Sequence, residues 1–147
     1  MKYLLDTNVM IDLLTDEMEV SHDVKAIIGD YYNLLQMCAA SIRELVAKWY
    51  KSPLFQKRWK TPEIMINFLI EEFGIAVSYP KKEHYKTFVN MEWNWAEKHT
   101  DTTDILIVAH AITEKTPLIS SDGKLDFYKK QGLNLIFNKR RQINDKR

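Results

Sequence analysis

One cysteine, four glycines, four prolines and almost no net charge set the limits of this 147-residue chain. With Cys38 alone, neither an intramolecular disulfide nor a cysteine-based zinc cluster can form, and a reducing, cytoplasmic setting is expected. So little glycine and proline, with no low-complexity stretch and no internal repeat, gives no support for a linker or a second domain. No apolar run approaches the ~20 residues that cross a bilayer, so no membrane partner is expected. The apolar N-terminal stretch is broken by Asp6 and Asp12, which argues against a secretion signal. The net charge of +1, from 21 Lys+Arg and 20 Asp+Glu, excludes an overall basic field as a source of nucleic-acid affinity. Five of those bases, Lys139, Arg140, Arg141, Lys146 and Arg147, crowd the last nine residues beside a single acid, Asp145. The body that precedes them therefore carries 16 basic and 19 acidic residues, a balance of −3. The expected organisation is one domain over residues 1–138 followed by a basic tail over 139–147.

The chain is 46% hydrophobic, and a domain of this length buries roughly 68–70% of the surface its unfolded form exposes, enough for a core without staples. Short apolar runs at Tyr3 to Leu5, Leu34 to Ala39, Ile75 to Val77, Leu118 to Ile119 and Leu133 to Phe137 read as buried parallel strands. Between them lie helical signals. Thr61 and Pro62 mark an N-cap and first helical residue, Ile64, Phe68 and Leu69 line a face, and Gly74 closes the helix. Lys81 to Lys98 reads as a longer helix, and Ile105, Val108, Ala109 and Ile112 form the apolar stripe of the next. Alternating strands and helices predict an α/β sandwich around a central parallel sheet.

Ligands of such sheets bind beyond the carboxyl ends of the strands, where loops and helix N-termini meet. Several acids fall at those places: Asp6 after the first strand, Glu44 in the helix after the second, Asp101 and Asp104 opening a later helix, and Asp122 after the fourth strand. Gathered on one rim, they repel one another unless a cation lies among them. Carboxylates without cysteine or paired histidines suit Mg²⁺ or Mn²⁺ rather than zinc. Such ions activate water and stabilise in-line displacement at phosphorus, which points to phosphodiester hydrolysis.

Each acid also has a plainer reading. Ser41 with Glu44 matches a capping box, Asp101 with Asp104 can cap a helix, Asp122 can cap a short helix from Lys124 to Lys130, and Asn8 can cap the segment after the first strand. Asp6 resists this, because a strand of Tyr and Leu gains nothing by ending in a charge. Between Lys48 and Lys60, Lys48, Lys51, Lys57, Arg58 and Lys60 alternate with Trp49, Tyr50, Phe55 and Trp59. That pattern serves phosphate gripping and base stacking, or a core face with solvated lysines, or a groove for a partner helix. Trp93 and Trp95 fall on different sides of their expected helix. His22, His84, His99 and His110 have no close ligand spacing and read as surface or core, with His99 near the acidic run. Cys38 reads as a buried small hydrophobe.

In order along the chain, Leu4-Leu5-Asp6-Thr7-Asn8, the Ser41-x-x-Glu44 helix start with Lys48, the run Asp101 to Ala111, and Leu118-Ile119-Ser120-Ser121-Asp122 resemble the motifs of PIN-domain ribonucleases. Size and the lack of extra domains are similar to the VapC toxins of type II toxin–antitoxin pairs. The resemblance implies a PIN-like three-layer α/β/α sandwich with a mainly parallel sheet of about five strands. It implies a metal-dependent endoribonuclease whose pocket is Asp6, Glu44, Asp104 and Asp122, with Asp6, Asp104, Asp101 and Asp122 toward Mg²⁺ or Mn²⁺. Thr7, Asn8 and Ser120 would orient waters or carboxylates, and Lys48, Lys51, Arg58 and Lys60 are candidate contacts to RNA or antitoxin. The implied partners are an RNA substrate, a cognate antitoxin and a second copy of the chain. Thr102-Thr103 departs from the family's common Pro-Phe, and Ile105 stands where Arg is common. The rivals are a non-catalytic RNA- or protein-binding module and a haloacid-dehalogenase-like phosphatase, whose second Asp is Asn8 here.

Overall fold

All five apolar runs form strands, and every pairing between them is parallel. The computed structural model describes residues 1–141. The strands are β1 (Lys2–Leu5), β2 (Leu34–Cys38), β3 (Ile75–Ser78), β4 (Leu118–Ser120) and β5 (Leu135–Phe137), in the sheet order β3-β2-β1-β4-β5. The helices are α1 (Thr7–Thr15), α2 (His22–Gly29), α3 (Ala39–Lys51), α4 (Pro53–Arg58), α5 (Pro62–Phe73), α6 (Lys82–Asn90) and α7 (Thr102–Glu114), joined by 3₁₀ segments at Glu17–Glu19, Trp95–Glu97 and Gly123–Gln131.

Strand side chains alternate between two cores because successive residues point to opposite faces of a sheet. Leu5, Leu35, Met37, Ile75 and Ile119 pack with Val9, Met10, Leu45, Phe55, Met65 and Leu69 on one face. Leu4, Cys38 and Leu118 pack with Leu106, Ile107, Val108, Leu125 and Tyr128 on the other. These faces make the three-layer α/β/α sandwich. From Ile105 to Ala111 every residue of α7 is buried, as befits a helix that is apolar all round and enclosed by neighbours.

The topology fixes where a site can form. From β1 the chain moves outward through β2 and β3, then returns to place β4 on the other side of β1. The β1–β4 boundary is thus the switch point, and the segments that leave those two strands diverge there and open a crevice.

Local signals act largely as expected. Thr61 caps α5 by accepting from Ile64 N–H at 3.1 Å, Pro62 follows, and Gly74 closes it at φ 66°, a conformation in which glycine carries no Cβ penalty. Three expectations are corrected. The buried residues of α5 are Met65 and Leu69, with Phe68 half-buried and Ile64 47% exposed. The helix read over Lys81 to Lys98 stops at Asn90, because buried Asn94 turns inward to bond Glu97 and the Lys124 carbonyl. Trp93 and Trp95 consequently stack on each other at 5.7 Å instead of facing opposite ways, and Trp95 is exposed.

The expected tail begins at an anchor. Buried Asn138 accepts from Ser21 N–H and donates to the Glu19 carbonyl and Ser121 Oγ. Arg140 forms a fork on the buried Asp12 carboxylate at 3.0 and 3.1 Å, and Arg141 reaches Asp16. Lys146 and Arg147 lie outside the described residues. No helix among the described residues is long and apolar enough to cross a membrane.

Candidate active site

Asp6 follows β1 directly and caps α1, so the rise of the strand delivers its carboxylate to the switch point. Its Oδ1 accepts from Thr7 N–H at 2.9 Å and its Oδ2 from the Ser120 hydroxyl at 2.6 Å, and the residue is 4% exposed. Ser120, the last residue of β4, also accepts from Asp122 N–H at 3.0 Å and Asn8 Nδ2 at 3.4 Å. Asn8 Oδ1 in turn accepts from Ser121 N–H. Thus β1, α1 and β4 are tied together by side chains directly beneath the acids. Burial, helped by the nearby charges of Glu44 and Asp122, pushes the Asp6 carboxyl up to about 6 against the two hydrogen bonds that favour its charge.

Glu44 enters from α3. That helix starts at Ala39, so Ser41 is inside it and the capping-box alternative does not form. Thr7 Oγ1 lies 2.6 Å from Glu44 Oε1 and 2.9 Å from Ser41 Oγ. With a single proton, the Thr7 hydroxyl donates to Glu44 and accepts from Ser41. Burial raises the Glu44 carboxyl and Asp101 adds to the rise, while the Thr7 bond opposes it.

Asp101 caps α7, accepting from Thr103 and Asp104 N–H, and is exposed, so its capping role is present. Asp104 lies one turn inside and, among the described residues, its carboxylate accepts no hydrogen bond. Burial and then the charges of Asp6, Glu44, Asp101 and Asp122 push it from 3.8 up to about 8. Asp122 caps the 3₁₀ segment with Oδ1 and leaves Oδ2 facing the pocket. Asn8 does not cap α1; Asp6 does.

Two sets of groups lie with their ligand atoms within 4.8 Å of one another, Glu44–Asp101–Asp104 and His99–Asp104–Asp122, and Asp104 belongs to both. An unpaired carboxylate shared by two such sets is the environment a hard divalent cation relieves, and the oxygen-rich donors fit Mg²⁺ or Mn²⁺. Beside them, Asp6, Thr7, Asn8, Glu44, Asp104, Lys48 and Lys51 contribute to a cleft of about 390 Å³. Lys48 and Lys51 thus join the site. Arg58 donates to the Leu14 carbonyl at 3.1 Å, and Lys60 is exposed outside this cleft. The aromatics between them are chiefly core: Phe55 and Trp59 are buried and Trp49 donates to the Trp59 carbonyl, whereas Tyr50 is exposed.

Sequence reasoning named His99 and Ser41 but gave neither a role in the site. His99 is 3% exposed, with Nδ1 at 2.8 Å from the Tyr128 hydroxyl and Nε2 at 3.8 Å from Asp104 and 4.0 Å from Asp122. Burial holds its imidazole below the usual histidine range. Its nearness to the acidic run was the sole signal. His84, His110 and Glu114 form another close group away from this pocket. There the two rings stack at 4.1 Å and 19°, so their in-plane lone pairs do not converge on one ion, and His84 ties α6 to Glu114 at 2.7 Å.

A parallel five-stranded α/β/α sandwich with acids gathered at its switch point defines the class of fold. The PIN domain family model matches residues 3–132, and the chain belongs to that family. Solved structures share the fold. VapBC2 from Rickettsia felis, bound to a promoter DNA fragment, matches at TM-score 0.70 and 17% identity over 96% of this chain and 100% of that one. VapBC-1 from nontypeable Haemophilus influenzae matches at 0.62 and 20% over 93% and 98%, and VapBC-5 from Mycobacterium tuberculosis at 0.63 and 13% over 94% and 98%. No curated protein matches the chain.

Proposed function

We propose that this chain is a divalent-metal-dependent endoribonuclease and the toxin of a toxin–antitoxin pair. The observation that carries the reading is the unpaired Asp104 carboxylate, raised to about 8 at the crossing of two acidic groups on the PIN switch point. Asp6, Asp104, Asp122 and Asp101 would hold Mg²⁺ or Mn²⁺, with Glu44 completing the pocket. When bound, such a cation would supply Lewis-acid activation of water and neutralise charge developing on the phosphate. Thr7 and Ser120 keep Glu44 and Asp6 oriented, and Asn8 ties β4 to α1. Lys48 and Lys51, on the cleft wall, suit the RNA backbone. In the hydrolysis, water oxygen bonds to phosphorus and gives a proton to a pocket carboxylate. The P–O3′ bond breaks and the 3′ oxygen gains a proton from solvent, leaving a 5′-phosphate and a 3′-hydroxyl.

VapBC neighbours in the fold support an antitoxin partner, and exposed Tyr50 and Leu54 with Arg58 and Lys60 offer it an amphipathic surface. A homodimer acting in the cytoplasm, with residues 139–147 as a basic extension of the nuclease domain, completes the proposal. Purified protein should cleave RNA with Mg²⁺ or Mn²⁺, stop in EDTA and resume on metal addition. Asp6→Asn and Asp104→Asn should remove cleavage while keeping the far-UV spectrum. RNA that stays intact with active-concentration wild type and either metal would reject the nuclease reading in favour of a binding module.

A further inference from the structure

His99 presents a buried polar atom to the acidic pocket: among the described residues Nε2 has no hydrogen-bond partner, in a residue 3% exposed. Which form this atom takes follows from its neighbours. The Tyr128 hydroxyl is buried, accepts from Asn94 N–H at 3.1 Å, and among the described residues has one acceptor for its own proton, His99 Nδ1 at 2.8 Å. Protonating Nδ1 would strand the phenolic hydrogen in the core, an arrangement native proteins avoid. Tyr128 therefore donates to Nδ1, and neutral His99 carries its hydrogen on Nε2, aimed between Asp104 Oδ2 at 3.8 Å and Asp122 Oδ2 at 4.0 Å.

Both separations exceed a hydrogen bond, yet they suit one oxygen atom placed within bonding reach of all three groups. With both carboxylates ionised, as a bound cation would leave them, that oxygen must accept one hydrogen and offer one to each carboxylate. A phosphate oxygen has none to offer, whereas water has two. We infer that His99, Asp104 and Asp122 seat a water in the active pocket, His99 acting as a positioning residue that fixes its orientation. Three of the four tetrahedral directions of the water are then used, and the remaining lone pair is free to face the reacting phosphate. Tyr128 and Asn94, neither of which lines the cleft, become the support that holds the tautomer. This inference rests on the nuclease reading for its consequence, though not for its geometry.

The test uses the full chain with ¹⁵N-labelled histidine, His99→Ala, His99→Gln and Tyr128→Phe. In the wild type with Mg²⁺, the His99 resonances, assigned from their loss in His99→Gln, should show the Nε2–H tautomer. Tyr128→Phe should shift them toward a mixture. His99→Ala should lower kcat about 10–100-fold, the range for lost support of a metal site, with KM and Mn²⁺ affinity unchanged. His99→Gln, whose amide can place a donor near the lost Nε2–H, should regain most of the rate. An Nδ1–H tautomer, an undiminished kcat in His99→Ala, or weakened Mn²⁺ binding, which would make His99 a ligand, overturns the inference. Wild type that shows the Nε2–H tautomer but cleaves no RNA supports the donor geometry and overturns the nuclease reading, so the two failures are distinct.

Discussion

Replacing Asp104 by asparagine should stabilise the metal-free protein. The carboxyl is pushed from 3.8 up to about 8, first by burial and then by Asp6, Glu44, Asp101 and Asp122. A displacement of about four pH units corresponds to at most about 6 kcal/mol against folding, at about 1.36 kcal/mol per unit. With the side chain 29% exposed, solvent screens the cluster, and about 2 kcal/mol is expected to survive. Folded Asp104 holds its proton more tightly than unfolded Asp104. Its contribution to stability is therefore intact below the unfolded value near 4 and is lost as pH rises through about 8. Asparagine keeps the shape and removes the titration. In EDTA at pH 8, Asp104→Asn should melt about 4–8 °C above wild type, and the curves should converge toward pH 4. Mg²⁺ at 100 times its dissociation constant should stabilise wild type by about 2.7 kcal/mol and the variant far less. The assay is scanning calorimetry across pH with and without metal. A variant that melts at or below wild type at pH 8 in chelator would refute the idea that charge crowding strains this pocket.

Further consequences follow from named contacts. Thr7→Val leaves Glu44 without its donor and Ser41, buried at 0% exposure, without its acceptor; a loss of about 1–3 kcal/mol in urea denaturation is expected. Removing the guanidinium in Arg140→Met strands Asp12, 4% exposed, beside Glu19. Because Arg140 is itself half in solvent, the expected cost is about 2 kcal/mol, read as a lower urea midpoint at unchanged slope. Asn138→Ala deletes three side-chain hydrogen bonds from a fully buried position. It should cost about 3 kcal/mol and raise amide exchange at Ser21.

Strand positions were legible because a short apolar run between turn residues has few alternatives in a parallel sheet, and all five were found. Helix ends were legible where a local cap set them, as at Thr61 and Gly74. Lys81 to Lys98 misled because periodicity cannot register that Asn94 gains more by bonding the distant Lys124 carbonyl than by continuing a helix. The Ser41–Glu44 box misled likewise: the local pattern was present, but α3 begins two residues earlier and Thr7 takes both side chains. Arg140 and Arg141 read only as members of a basic tail, and folding alone shows the acids of the α1 region beneath them.

Residue types and their order along the chain were enough to determine the alternation of strand and helix and the placing of Asp6, Glu44, Asp104 and Asp122 at element ends. Those depend on local stereochemistry and on burial, which act through near neighbours. Which carboxylate stands unpaired, which merely caps a helix, and that His99 turns its Nε2 toward two of them were decided by tertiary structure alone. Such facts depend on dielectric and on hydrogen-bond partners tens of residues away, and these exist only once β1 and β4 lie side by side.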